Sequence, residues 1–352
     1  MYHTHMDKLL QMTSAQWISL DQRALCALFP AGESDRRELA RRLLQRWHPD
    51  RNDDPKATDV FIKVQALLAS FAPIKKPAAL RPSPLEIHDF KGALFRYVPL
   101  WKASFVLGDL LVAKDSLAYQ VQASHQALFD NAVSIVRGLS FPNPDMRKAL
   151  AKLLPEMVGS PFGATGGLWV VKKPRDAIRL ADLFNHVGPL DPKHVAWIVS
   201  GLFNLLCYLE YQKIAHHDIS LETVWIRPGS HEVLLLGGWF FAVPLGAPIT
   251  VLPARTAALA SSHLRGSKIA SMGLDCELIK AVARELLGDK TGQRFSVDVP
   301  ASIRAFLSDS PLRSAIEDYR AWKKALEASF GPPAFVPMSI SASEIYQEKY
   351  HG

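Results

Sequence analysis

Four closely spaced prolines, Pro73, Pro77, Pro82 and Pro84, interrupt this chain among Lys75, Lys76 and Arg81. A proline has no amide hydrogen and a fixed φ, so such a run cannot continue a helix and holds the backbone extended. Residues 73–90 are therefore expected to form a semi-stiff linker. It would separate a short N-terminal unit, residues 20–72 behind a leader at 1–19, from a long unit that starts at residue 91.

The chain has 352 residues, 48% hydrophobic and 21% charged, which allows two ordinary domains and is too apolar for a disordered polymer. No apolar run reaches eighteen residues, which argues against a spanning helix. Residues 1–8 lack the basic-then-apolar pattern of a secretory leader. Cys26, Cys207 and Cys276 are odd in number, far apart and form no C-x-x-C pair. Neither a disulfide framework nor a zinc ribbon is expected, no metal site is expected, and a cytoplasmic location follows. The 41 Lys and Arg against 34 Asp and Glu leave +7, a mild positive field.

The N-terminal unit reads as helical. Asp35 with Glu38 resembles a capping box, and the helix it opens carries Leu39, Leu43, Leu44 and Trp47 before Pro49 stops it. Asp54-Pro55 opens the next helix, whose Phe61, Val64, Leu68 and Phe71 recur on one face. Two such helices make an antiparallel hairpin, and a shorter helix around residues 22–29 can cover its open side. The first of the pair carries Arg36, Arg37, Arg41, Arg42 and Arg46. Its like-charge pairs at i,i+4 cost a few tenths of a kcal/mol each, so the helix stores charge that suits an acidic partner.

The segment Arg46-Trp47-His48-Pro49-Asp50-Arg51-Asn52, followed by Phe61-Ile62-Lys63-Val64-Gln65-Ala66, resembles the J domain of DnaJ-type co-chaperones. The resemblance covers about residues 20–72. It implies that the helix bearing Arg37, Arg41, Arg42 and Arg46 docks on the ATPase domain of a DnaK-type chaperone. It also implies that His48, Pro49 and Asp50 bias that ATPase toward hydrolysis, Pro49 fixing the turn so that little entropy is lost on docking. No Gly/Phe-rich stretch follows residue 72 and no cysteine module is present, so the remaining residues are expected to serve a purpose of their own.

The long unit alternates strands and helices. Ser104–Lys114 and Ala118–Ala123 read as two strands joined at Asp115-Ser116, helices follow between Gln126 and Val158, and Leu168–Val171 reads as a strand. Asp191-Pro192 opens a long helix with Val195, Val199, Leu202, Leu206 and Leu209 on one face. The loop His216-His217-Asp218 comes next, then two apolar strands split by Pro228-Gly229-Ser230, then mostly helix, including Cys276–Leu287 and Leu312–Ala328. The tail after Gly331-Pro332-Pro333 has weak periodicity and is expected to drape over the surface or fray.

This order is similar to the protein-kinase fold, with the segment from Ile214 to Ile226 set against a kinase catalytic loop. The resemblance implies an α+β multidomain chain: a small helical-hairpin J domain, then a bilobal kinase-like fold. Its small β-rich lobe would lie at 91–175, its large mostly helical lobe at 176–332 and a tail at 333–352. Phosphoryl transfer depends on positioned metal ions and charged groups. Asp218 matches the catalytic aspartate, with His216 beneath it, and Asp275 resembles the buried acid that braces this loop. Thr223 stands in place of the metal-binding asparagine and Gly238 in place of the metal-binding aspartate. The strand lysine falls on Gln122, with Lys114 the weaker substitute, and only Gly108 remains of a glycine-rich loop.

The expectation is thus a co-chaperone that stimulates a DnaK-type ATPase and carries a catalytically inactive kinase-like module that binds an unknown client protein. Asp218 is a vestigial base with a structural role. No cofactor is expected; a third reading is that the cleft binds ATP without metal and acts as a switch on partner binding. Neither membrane nor nucleic acid is needed as a partner. The alternative is a divergent protein kinase or small-molecule phosphotransferase that uses Asp218 as base, with Glu222 or Asp275 supplying a metal ligand.

Overall fold

The computed structural model describes residues 9–20, 25, 28, 29, 39, 42–47, 52, 54–70, 83–260, 267–289, 291, 292, 295, 297–312 and 314–350. It is mixed α and β, and the chain divides into two compact units, Met1–Ala78 and Ala79–Gly352. Among the described residues no helix is long and apolar enough to cross a membrane.

In the first unit, helix α1 (Ser14–Ser19) begins at a capping box: Gln16 N donates to Thr13 Oγ1 and Thr13 N donates to Gln16 Oε1. Lys63 Nζ donates to the carbonyls of Ile18 and Leu20 and so places a cation at the carbonyl end of α1. Helix α2 spans Ala57–Ser70. The expected Asp54-Pro55 start is displaced: Pro55 and Lys56 form a turn, and Asp54 accepts from Lys56 N before the helix begins. The buried face of α2 carries Ala57, Val60 and Val64, with Phe61 half-buried beside them. Leu9, Met12 and Trp17 join Leu39, Leu43 and Trp47 in the same core. Within the expected leader at 1–19, Leu9 and Trp17 are wholly buried, so apolar burial fastens this segment to the core it shares with Leu39, Leu43 and Val60.

The second unit begins inside the expected linker. Leu85–His88 (β1) pairs antiparallel with Leu94–Tyr97 (β2), so the extended region ends before residue 85 rather than at 90. Proline density ends at Pro84, and the alternation that follows puts Ile87 and Tyr97 on one buried face. Residues 73–82 of the linker lie outside the described residues.

A six-stranded antiparallel sheet comes next. Its strands are β3 (Trp101–Phe105), β4 (Gly108–Val112), β5 (Ser116–Gln122), β6 (Met157–Gly159), β7 (Phe162–Gly163) and β8 (Gly166–Lys172). The order is β3-β4-β5-β8-β6, with β7 also on β8. The expected single strand Ser104–Lys114 is two strands that turn at Val106-Leu107, with Phe105 opposite Gly108. Period-2 alternation sorts β5: Ala118 packs under the β1–β2 hairpin, whereas Leu117, Tyr119 and Val121 enter the main core. Helices α3 (Gln126–Gly138) and α4 (Pro144–Leu150) lie between β5 and β6.

Beyond Lys172 come β9 (Ile178–Arg179), α5 (Leu180–Val187) and the twenty-residue α6 (Pro192–Tyr211). Asp191 caps α6 by accepting from Lys193 N, and Val195, Val199, Leu202, Leu206 and Leu209 are all buried, as their spacing predicts. The chain continues through β10 (Ile214–Ala215), the hairpin β11 (Val224–Arg227) and β12 (Glu232–Leu235), and β13 (Val243–Pro244). Helices α7 (Ala254–Leu259), α8 (Met272–Leu286), α9 (Ala301–Ser308) and α10 (Ala315–Phe330) follow. The last element, α11 (Ala342–Tyr350), corrects the expected surface tail, since Tyr346 is wholly buried.

Candidate functional site

Strand β10 pairs with β13 and delivers the chain into His216-His217-Asp218 at a fixed place. Asp275, wholly buried in the first turn of α8, accepts from His216 N and His217 N at 2.7 Å each. Burial pushes the Asp275 carboxyl above its ordinary value, against the pull of His217 and these two amides. Thr256 Oγ1 donates to His217 O at 2.8 Å, so α7 holds the loop from the other side. His217 itself has φ +63, a left-handed conformation that the two clamps sustain.

His216 is neutral. Burial, then the neighbouring His217, pushes its imidazole down to about 3. Asp218 N donates to its Nδ1 at 3.3 Å, which places the ring proton on Nε2, and the ring meets Trp239 edge-on at 4.9 Å. Burial and the nearby Glu222 raise the Asp218 carboxyl well above its ordinary range. Arg255 opposes that shift while it bridges Glu222 at 3.2 Å and Glu285 at 2.5 Å.

The positions expected to hold metal do other work. Thr223 Oγ1 donates to Asp218 O at 2.7 Å and accepts from Ser220 N at 3.0 Å, so its hydroxyl closes the loop on itself. Gly238 sits at φ +83, and a Cβ there would stand 2.6 Å from both Asp218 O and His216 Cε1. A carboxylate side chain at 238 has no room beside this loop. Among the described residues no group of three His, Cys, Asp or Glu side chains is placed to hold a metal ion.

Gln122 does not join the loop: it is exposed at the end of β5, across from Gly166. Lys114 is likewise exposed, and its carbonyl accepts from Lys173 Nζ. The β5 residue that reaches this region is Tyr119, whose hydroxyl donates to Leu236 O at 3.1 Å. Its ring lies 5.4 Å from Phe105, 5.4 Å from Trp169 and 5.8 Å from Phe240. Phe105 and Phe240 also meet directly at 5.6 Å. Aromatic surface therefore fills the ground between the sheet and the segment after β12. Sequence reasoning missed Tyr119 because one residue of strand alternation decides the face, and the nearby polar Gln122 suggested the wrong one. Burial pushes the Cys207 thiol up to about 11 and raises that of buried Cys276 as well, in keeping with core cysteines.

In the N-terminal unit, His48, Pro49, Asp50, Arg37 and Arg41 lie outside the described residues. Arg42 and Arg46 are exposed on helical residues 42–46, and the Arg46 guanidinium lies over the Trp47 ring at 5.3 Å. Asn52 bonds to described residues on both sides of the His48-Pro49-Asp50 sequence. Its Nδ2 donates to Arg46 O at 2.9 Å and its Oδ1 accepts from Asp54 N at 2.9 Å.

Over 64 residues the chain is 44% identical to Chaperone protein DnaJ 1 of Aromatoleum aromaticum. The match covers 17% of this chain, and the chain spans 18% of the length of that relative. It supports a J domain in the chain. No protein-family model matches the chain.

Proposed function

We propose that this protein is a J-domain co-chaperone, and that residues 83–350 form an inactive kinase-like module that binds a client or partner protein. The observation that carries the first half is the 44% match to a DnaJ chaperone, in a chain that keeps His48-Pro49-Asp50 in sequence and exposes Arg42 and Arg46. Asn52, bonded to both Arg46 and Asp54, ties together the described residues that flank this sequence. The partner is the ATPase domain of a DnaK-type chaperone, and the location is cytoplasmic.

The kinase-like assignment is supported by the order of parts. An antiparallel sheet with a helix after its third strand is followed by a long buried helix, a braced His-x-Asp loop and a β-hairpin. Inactivity is supported by chemistry. Catalysis of phosphoryl transfer needs metal ions and a lysine to offset phosphate charge. Thr223 has its hydroxyl bonded within the loop, a side chain at Gly238 would meet the Asp218 backbone, and Tyr119 packs on Phe240 just after β12. The protein then needs no cofactor, and Asp218 acts as part of the loop's architecture.

The test is steady-state ATP hydrolysis by a DnaK-type chaperone with the full chain added. Stimulation that disappears with His48→Gln, while the circular dichroism stays unchanged, supports the proposal. A full chain that leaves the hydrolysis rate unaltered defeats it.

A further inference from the structure

Helix α11 is short and largely polar, and among its described side chains Ala342, Ile345 and Tyr346 meet the core. At nine residues it lies below the length at which a helix holds itself in water. Ser343 and Glu344 are exposed, and its described buried side chains are Ala342 and Tyr346. Tyr346 is nevertheless wholly buried, and it touches both halves of the unit. Its ring stacks on Trp101 of β3 at 5.5 Å. Its hydroxyl accepts from Arg179 N of β9 at 3.0 Å and donates to Asp182 Oδ2 of α5 at 3.0 Å. Arg179 forks onto Asp182 with two bonds of 3.2 Å and lies over Trp101 at 5.6 Å. Trp101, Tyr346, Asp182 and Arg179 thus form a closed ring of contacts between the sheet and the start of the helix-rich half.

The lead-in to α11 is pinned separately. Gly331, at φ +72, ends α10, and the chain then runs without regular structure to Ser341. Along that run Phe335 stacks on His231 at 4.0 Å, and His231 stacks on Trp197 at 4.5 Å. His231 Nε2 also lies 2.9 Å from Val336 O. The segment therefore has an outer anchor on the helix-rich half and an inner one at Tyr346. Undocking α11 breaks no strand pairing and no other helix, so it is a local opening and not global unfolding.

We propose that residues 331–350 are a detachable strap whose key, Tyr346, clasps the sheet to the β9–α5 segment and holds the two halves closed around the His216–Asp218 loop. The inference uses the two-lobed arrangement proposed above and is independent of the co-chaperone activity, since its test involves no DnaK-type chaperone. With the strap seated, Tyr346 occupies the donor Arg179 N and the acceptor Asp182. With it released, the Arg179 amide loses its acceptor and the Trp101 ring loses its stacking partner.

Amide hydrogen exchange of the full chain tests this. In the wild type, α11 amides should exchange at least tenfold faster than those of α6. In Tyr346→Ala, peptides covering 101–105 and 178–182 should exchange at least tenfold faster, with 202–209 and 278–286 unchanged. In Tyr346→Phe, which keeps the ring, the Arg179 amide should lose protection while 101–105 keeps it. Unchanged exchange at 178–182 in Tyr346→Ala overturns the proposal, as does equal acceleration everywhere, which would make Tyr346 an ordinary core residue. Should Tyr346→Ala not fold, wild-type α11 exchanging no faster than α6, or Tyr346→Phe leaving Arg179 protected, overturns it as well.

Discussion

Gly238 lies against Asp218 so closely that a single added carbon would stand 2.6 Å from the Asp218 carbonyl oxygen and 3.0 Å from its Cβ. Any side chain at 238 would therefore have to displace the backbone of the His216–Asp218 loop.

Reinstating the two expected metal ligands should not reinstate chemistry. In the double variant Gly238→Asp, Thr223→Asn, a side chain is forced into a left-handed backbone and the hydroxyl that closes the loop is lost. Strain of that kind costs roughly 1–3 kcal/mol per residue, and the unfolding midpoint in urea should fall accordingly. Transfer of label from ATP with Mg²⁺ or Mn²⁺ should stay at background. Transfer above background that is lost on Asp218→Ala would establish the phosphotransferase alternative instead.

Asp218 gives a pH signature. Its carboxyl is raised in the folded state, so the fold binds the proton more tightly than the unfolded chain, and stability falls as pH rises above the ordinary value of 3.8. Asp218→Asn should therefore stabilise the protein at pH 7, with the gain shrinking toward zero near pH 4. Thermal melts of both proteins across that range check the sign; a destabilised Asp218→Asn at pH 7 contradicts it.

Tyr119→Phe keeps the aromatic packing and removes one hydroxyl. The Leu236 carbonyl then lies buried without that donor, at a cost of about 1–3 kcal/mol, read from chemical denaturation. A loss within error of zero would mean that water reaches Leu236 O and that the aromatic filling is incomplete.

Arg42→Glu with Arg46→Glu reverses two exposed charges on the N-terminal unit. Affinity for a DnaK-type ATPase domain should drop at least tenfold at low salt, and the gap should narrow at high ionic strength as screening shortens the reach of the charges. Binding that ignores both the reversal and the salt would mean that this helix is only a solvated face.

Features set by neighbours in sequence were legible without coordinates. Asp191-Pro192 announces α6 because a side-chain acceptor and a preset φ act within one turn, and the spacing of Val195 to Leu209 announces its buried face. The same logic failed at Asp54-Pro55 by two residues, where Asn52 and Asp54 together build a turn before the helix begins. It failed again at Val106-Leu107, because a tight turn inside an apolar run leaves the hydrophobic pattern unbroken.

The sequence by itself determined the start and buried face of α6 and the placing of a boundary in the proline-rich stretch, since each depends on residue type over a short span. Only the tertiary structure decided that Tyr119, not Gln122, faces the loop, and that Leu9 and Trp17 belong to the N-terminal core. It alone set Tyr346 against the Arg179 amide 167 positions away. Periodicity and capping act over a few residues, whereas the partner of a buried aromatic is chosen by which surfaces meet once the chain has closed on itself.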